Sequence, residues 1–185
     1  MIDQLVTEAD RRMKKSVETA AHEFNTVRTG RASAALLDRI EIDYYGQQTP
    51  LQQLATINVP ESRLLTIQPY DPSSIKTIER ALQESDLGLT PSNDGKLIRL
   101  PIPQLTEERR KELVKVVRHL AEEGRVAVRN VRRDAIHHLK ELIKKGEVGD
   151  DDERRAEERV QKLTDQHVKE IDELLKRKEA EIMEV

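Results

Sequence analysis

The sequence predicts an α+β protein. Three long antiparallel helices should form a bundle, and a small α/β domain should be inserted between the first helix and the second. Three observations carry this. Residues 2–29 and 106–183 are rich in Glu, Lys, Arg, Ala and Leu and contain no proline. All seven prolines (Pro50, Pro60, Pro69, Pro72, Pro91, Pro101 and Pro103) fall between those flanks. Proline costs about 3 kcal/mol inside a helix, so the middle must be built differently from the ends. Apolar residues recur every three or four positions in the flanks and alternate in the middle.

The first helix is read from Ile2, Val6, Ala9, Met13, Val17, Ala20, Phe24 and Val27, a continuous apolar stripe. It should run over 2–29 and stop at Thr29-Gly30, where glycine suits a left-handed helix end. The second should open at Thr106, an N-cap type, with Glu107 and Glu108 favouring the positive end of the helix dipole. Its stripe is Leu113, Val117, Leu120, Gly124, Val128, Val131, Ala135, Leu139 and Leu142. It should end near Lys144-Lys145-Gly146. The third follows Gly149 and starts with Asp150, Asp151 and Asp152. Its stripe is Ala156, Val160, Leu163, His167, Ile171, Leu174 and Ile182. Helices joined by a short loop lie antiparallel. None of these narrow stripes can be buried alone, so a three-helix bundle is expected.

In the middle, residues 40–45, 54–59 and 63–67 alternate like strands, with a turn at Gly46-Gln47. Asp71-Pro72-Ser73-Ser74 should open a helix with Ile75, Ile78 and Leu82 on one face. Segments 87–89 and 96–100 flank Asn93-Asp94-Gly95 and read as a hairpin. The expected domains are 1–30 with 105–185, and 31–104. Two adjacent crossings join them, at Gly30-Arg31 and at Gln104-Leu105, and these four residues form a candidate hinge.

Composition narrows the function. Of 185 residues, 36% are charged and 2% aromatic, and the net charge is −3. With no cysteine there is no disulfide framework, no thiolate metal site and no cysteine nucleophile. No apolar run approaches the roughly 18 residues of a membrane span, and the N-terminus lacks a signal-peptide pattern, so a soluble cytoplasmic protein is expected.

The strongest local feature is the run from Arg125 to Arg133. On a helical wheel, Arg118, Arg125, Arg129 and Arg132 cluster within about 60°, with Arg133 beside them and the apolar stripe well away. No acid occurs between Gly124 and Asp134, so this ridge is read as unneutralised within its own turn. One reading is a phosphate-binding ridge, since Arg offers permanently charged, bidentate donors. The other is a solvated face paired to acids on the third helix. Arg28 and Arg31 would extend the ridge if the bundle aligns them. Four aromatics are too few for a base-stacking platform, so an RNA partner would be held by backbone and shape.

Enzyme signals are weak. Gly88 to Lys96 has the wrong spacing for a phosphate loop, and Leu97 stands where Ser or Thr is needed. His137 and His138 are adjacent and cannot share a helix face, and His22, His119 and His167 are isolated, so no metal site is expected. The acids at Asp150 to Glu153 read as a helix start. No catalytic group, metal or cofactor is assigned. From residues alone, an RNA-binding module and a coiled-coil adaptor for a partner helix both stand, and an RNA-processing enzyme has no catalytic candidate.

Seven segments carry a resemblance. They are residues 27–33 (VRTGRAS), 44–46 (YYG), 49–55 (TPLQQLA), 85–89 (SDLGL), 98–103 (IRLPIP), 105–110 (LTEERR) and 125–135 (RVAVRNVRRDA). In this order and spacing the chain resembles the bacterial ribosome recycling factors over essentially its whole length. The His137-His138 pair departs from the family pattern. The resemblance implies an L-shaped, tRNA-like outline, with a three-helix bundle as the first domain and a β/α/β sandwich on a hinge as the second. It implies a cytoplasmic, monomeric, non-enzymatic factor of translation termination. Such a factor binds the large-subunit rRNA of the post-termination ribosome and, with elongation factor G and GTP, splits it into subunits and releases the mRNA. The GTPase activity would then belong to the partner. Carried over residue by residue, the rRNA contacts fall on Arg28, Gly30, Arg31, Arg129, Arg132 and Arg133, and Arg125 joins them on the ridge.

Overall fold

The computed structural model describes residues 1–184. In chain order the elements are α1 (Ile2–Asn25), β1 (Glu41–Tyr44), β2 (Gln47–Pro50), the single turn α2 (Leu51–Leu54), β3 (Ala55–Glu61), β4 (Leu64–Pro69), α3 (Ile75–Glu84), β5 (Ser92–Asn93), β6 (Ile98–Pro101), α4 (Glu107–Lys144) and α5 (Asp150–Met183). The chain divides into two compact units, Met1–Arg28 with Thr106–Glu184, and Thr29–Leu105.

The first unit is the helical bundle, in which each helix packs on both others. Cross-links give the directions. Arg118, Arg125 and Arg132 of α4 bond Glu179, Asp172 and Gln161 of α5, so those helices are antiparallel. Arg12 of α1 bonds Asp134 of α4, whereas Asp3 and Asp10 of α1 meet Arg159 and His167 of α5. So α1 runs against α4 and along α5.

Helix ends follow local chemistry. The Thr106 hydroxyl accepts the Arg109 N–H at 3.1 Å and caps α4. Helix α1 ends at Asn25, short of the expected Thr29. There the Thr26 hydroxyl donates to the Glu23 carbonyl at 2.6 Å and the Val27 N–H to the Phe24 carbonyl at 3.1 Å, tightening the last turn.

Most of the expected stripes are buried, with two substitutions. Ala121 is buried where Leu120 was expected, and Thr164 where Leu163 was expected. At close helix contacts the smaller side chain takes the central position and the leucine moves to the flank. Thr164 tolerates burial because its hydroxyl donates to the Val160 carbonyl at 2.8 Å.

Gly124 marks a close crossing of all three helices. A Cβ there would lie 3.1 Å from the Ala20 Cβ and 3.1 Å from the Ile171 Cδ1. The alanine methyl has no rotamer with which to retreat. Gly124→Leu is therefore expected to destabilise the bundle by about 2–3 kcal/mol despite its better helix propensity. Urea unfolding checks this, and a leucine variant as stable as the parent would show that the crossing opens freely.

The second unit holds a four-stranded antiparallel sheet in the order β3-β4-β6-β5 and a separate β1–β2 hairpin. In the β4–β6 register Leu65 faces Leu100 and Ile67 faces Ile98, and all four are fully buried. Helix α3 lays Ile75, Ile78 and Leu82 into the same core, together with Leu37, Ile42 and Leu51. Its start is set by Asp71, whose Oδ1 accepts the Ser73 N–H at 3.0 Å.

The expected strand at 87–89 is absent. Leu87 and Leu89 pack against the core from a loop, and the partner of β6 is Ser92–Asn93. Pro91 has no N–H to give a ladder, so pairing begins only after it. The Asn93-Asp94-Gly95 turn does form. The Asp94 carboxylate accepts the Lys96 and Leu97 N–H groups, each at 2.9 Å, and these bonds hold its pKa down at about 2.

Candidate nucleic-acid interface

The arginine run lies on α4. Its wheel positions hold in part: Val128, Val131 and Ala135 are buried and Arg129 and Arg133 are exposed, whereas Arg125 and Arg132 are half-buried. A 38-residue helix spans roughly 57 Å, and α5 and α1 support it along its length. The ridge therefore stands on a rigid element.

Its neutralisation differs from the expectation. Glu122, just upstream of Gly124, reaches forward along the helix. Its carboxylate takes Arg125 at 3.1 Å and Arg129 at 3.4 Å. Arg125 also bonds Asp172 of α5 at 2.7 Å, and only 20% of its side chain is exposed. Burial alone would lower the Arg125 pKa, but the bonds to Asp172 and Glu122 outweigh it and raise it. Arg125 is thus tied into the bundle. Arg118 is tied likewise to Glu179 at 2.8 Å. These two fit the reading of a helix face paired to the third helix. The run itself does not show this, because Glu122 sits one turn before it and Asp172 is remote in the chain.

Arg132 and Arg133 differ. Arg132 is half-buried and its Nε donates to the Gln161 Oε1 at 2.7 Å. It also braces α4 against α5, whereas the wheel placed it clear of the packing. Arg133 makes only a long contact, 3.5 Å, to the Asn130 side chain. Among the described residues neither has a carboxylate partner. Two carboxylates thus face four guanidiniums between Arg125 and Arg133, and the excess positive charge lies at Arg129, Arg132 and Arg133.

The other candidates lie near the crossings. Arg28 is exposed at the end of the helical unit. Gly30 and Arg31 belong to the inserted unit. Gly30 has φ +77, and a Cβ there would come 3.1 Å from the Leu105 Cγ and 3.6 Å from the Pro103 carbonyl. Only glycine meets both demands. Arg31 is exposed beside a shallow cleft lined by Ala32, Ser33, Val59 and Pro60. Gln104 is exposed and Leu105 half-buried. Among the described residues no helix is long and apolar enough to cross a membrane, and no group of acids or histidines is placed to hold a metal.

Known proteins share this sequence end to end. The family model described as Ribosome recycling factor matches residues 20–183. A ribosome-recycling factor from Rubrobacter xylanophilus is 62% identical over 180 residues, covering 97% of each chain. One from Halalkalibacterium halodurans is 57% identical over 185 residues, covering 100% of both. A solution structure of the ribosome recycling factor superposes with a TM-score of 0.77 at 44% identity, covering 100% of this chain and 98% of that one. A second similar chain comes from models of the T. thermophilus ribosome recycling factor and E. coli elongation factor G bound to the E. coli post-termination complex. Its TM-score is 0.66 at 46% identity, with 100% of both chains covered. With the match running from the first helix to the last, the chain belongs to the ribosome recycling factor family.

Proposed function

We propose that this chain binds the post-termination ribosome and, with elongation factor G and GTP, splits it into subunits, so freeing ribosomes from mRNA. The observation that carries the reading is the under-neutralised arginine row on α4, in a chain whose relatives are named for ribosome recycling. Arg129, Arg132 and Arg133 would grip rRNA phosphates of the large subunit, with Arg28, Gly30 and Arg31 adding contacts near the crossings and Arg125 ordering the row from within. Guanidinium groups suit this because they stay charged and bond phosphate bidentately. Phosphate contacts position a protein on RNA without reading sequence, which fits a chain with so few aromatics.

The protein acts here as a cytoplasmic monomer and not as an enzyme. Nucleotide hydrolysis is the partner's. The two domains, 1–30 with 105–185 and 31–104, would move about the crossings Gly30-Arg31 and Gln104-Leu105. Elongation factor G would push the inserted domain, and the stiff bundle would carry the force to the bridges between subunits.

Light scattering tests the whole. Post-termination ribosomes mixed with this protein, elongation factor G and GTP should lose scattering only when all are present. Salt-sensitive binding to large subunits with no loss of scattering would leave an RNA-binding module and defeat the recycling role. An engineered disulfide across the two crossings should abolish splitting but not binding. Unchanged splitting would defeat the hinge.

A further inference from the structure

One peptide bond of the inserted unit is chemically fragile. Asp94-Gly95 is the sole Asp–Gly pair in the chain, and Asn–Gly does not occur. Glycine leaves its backbone nitrogen unshielded, so the carboxyl group of a preceding aspartate can reach it. Closure joins the Gly95 nitrogen to the Asp94 Cγ. The N–H hydrogen and the carboxyl OH leave together as water, and a succinimide ring remains. Water then adds at the Asp94 main-chain carbonyl and breaks its bond to the Gly95 nitrogen. The chain now runs through the side chain as isoaspartate, one carbon longer. No oxidant, reductant or cofactor takes part.

Asp94, Gly95 and Lys96 are exposed, so water reaches the ring for the second step. The folded turn obstructs the first step by occupying both reacting groups. On the nucleophile, the Gly95 N–H donates to the Asn93 Oδ1 at 3.1 Å. On the carboxyl, Oδ1 accepts the Lys96 and Leu97 N–H groups and Oδ2 accepts the Arg99 guanidinium, each at 2.9 Å. Closure needs a protonated carboxyl, because an ionised one has no OH to lose. The bonds from Leu97, Lys96 and Arg99 hold the Asp94 pKa at about 2, against an ordinary 3.8. At neutral pH the reactive acid form is therefore roughly 60-fold scarcer than for an ordinary aspartate.

This clamp is anchored in the fold. The Asn93 Nδ2 donates to the Glu79 Oε2 on α3. Arg99 belongs to β6, between the fully buried Ile98 and Leu100. Asn93 pairs with Ile98, and the Asp94 N–H donates to the Leu97 carbonyl at 3.2 Å. Opening the β5–β6 turn therefore releases the nucleophile and the carboxyl together. The extra main-chain carbon of isoaspartate would break the same register, so the damage would hold the turn open.

We propose that Asp94 is a guarded isoaspartate site. The folded turn, through Asn93 and Arg99, blocks succinimide closure onto Gly95, and the site reacts when the turn opens.

The full chain is incubated at neutral pH in buffer and, in parallel, in concentrated guanidinium chloride. Isoaspartate at position 94 is counted by peptide mass spectrometry with electron-transfer fragmentation. It should accumulate at least about tenfold faster in the denatured chain. Arg99→Ala and Asn93→Ala should each accelerate it several-fold in buffer, with circular dichroism showing that both variants remain folded. Equal rates for the folded and denatured chain overturn the proposal, as does a denatured chain that forms no isoaspartate there. Folded variants that react no faster than the parent also overturn it, since the two side chains would then guard nothing. If a variant unfolds, the comparison of the unaltered chain in the two solvents still decides.

Discussion

Replacing Arg129 and Arg133 together by Glu is expected to weaken binding to large ribosomal subunits by about 100-fold or more. Each charge-assisted bond to phosphate contributes about 1.5–3 kcal/mol, and the new acids would repel the same phosphates. The fold should survive, since both residues are exposed and surface substitutions usually move stability by about 0.5 kcal/mol or less. Arg118→Glu is the internal comparison. That guanidinium is held by Glu179, so its reversal should disturb the α4–α5 contact more than RNA binding. A second readout is the salt dependence of binding. Losing two phosphate contacts should lower the slope of log affinity against log salt by about 2. A double variant with the parent's affinity and slope would show that the row is solvated surface.

The parts of this molecule that were legible in the sequence are those governed by local rules. Helical stripes are set by a period of 3.6, so α1, α4 and α5 could be read directly, with Thr106 and the Asp150 run as their start signals. What failed was packing at single-residue resolution. Nothing in the spacing says that Ala121 will displace Leu120, because that choice depends on how closely another helix approaches. The strand expected at 87–89 failed for a related reason. Apolar spacing favours a strand there, but the missing N–H of Pro91 delays the ladder to Ser92. The arginine row shows the same divide. Its position on one face is local and was readable, whereas its partners Asp172 and Gln161 lie 47 and 29 residues away in sequence. The turn at Tyr45 was visible as a glycine signal one residue late, but its left-handed tyrosine was not, because local preference argues against it.

His167 provides the second large effect, and it tests whether a polar pair inside the bundle is structural. The sequence placed it on the α5 stripe as an isolated histidine, and it is 0% exposed. Its Nε2–H donates to the Asp10 Oδ1 of α1 at 2.7 Å, and its Nδ1 lies 3.3 Å from the Glu170 Oε2. The imidazole thus pins α1 to α5 where Lys14 also reaches the Asp10 carboxylate at 3.2 Å. The bond from His167 is the main cause that lowers the Asp10 pKa, opposed by partial burial and assisted by Lys14. His167→Ala leaves a cavity and strips Asp10 of its nearest donor, so a loss of about 2–4 kcal/mol is expected near neutral pH. The pH dependence separates those two causes. A carboxylate with a depressed folded pKa adds stability above its unfolded pKa, and that stability is lost as pH falls through the folded value. The gap between parent and variant should therefore narrow as pH drops below about 4, since protonated Asp10 no longer favours the imidazole. The cavity contribution does not titrate and should persist. His167→Leu, which refills the volume, should recover part of the cavity loss and none of the pH-dependent part. Urea unfolding from pH 7 to pH 3 reads both, and a gap that stays constant over that range would show that His167 acts by its volume alone.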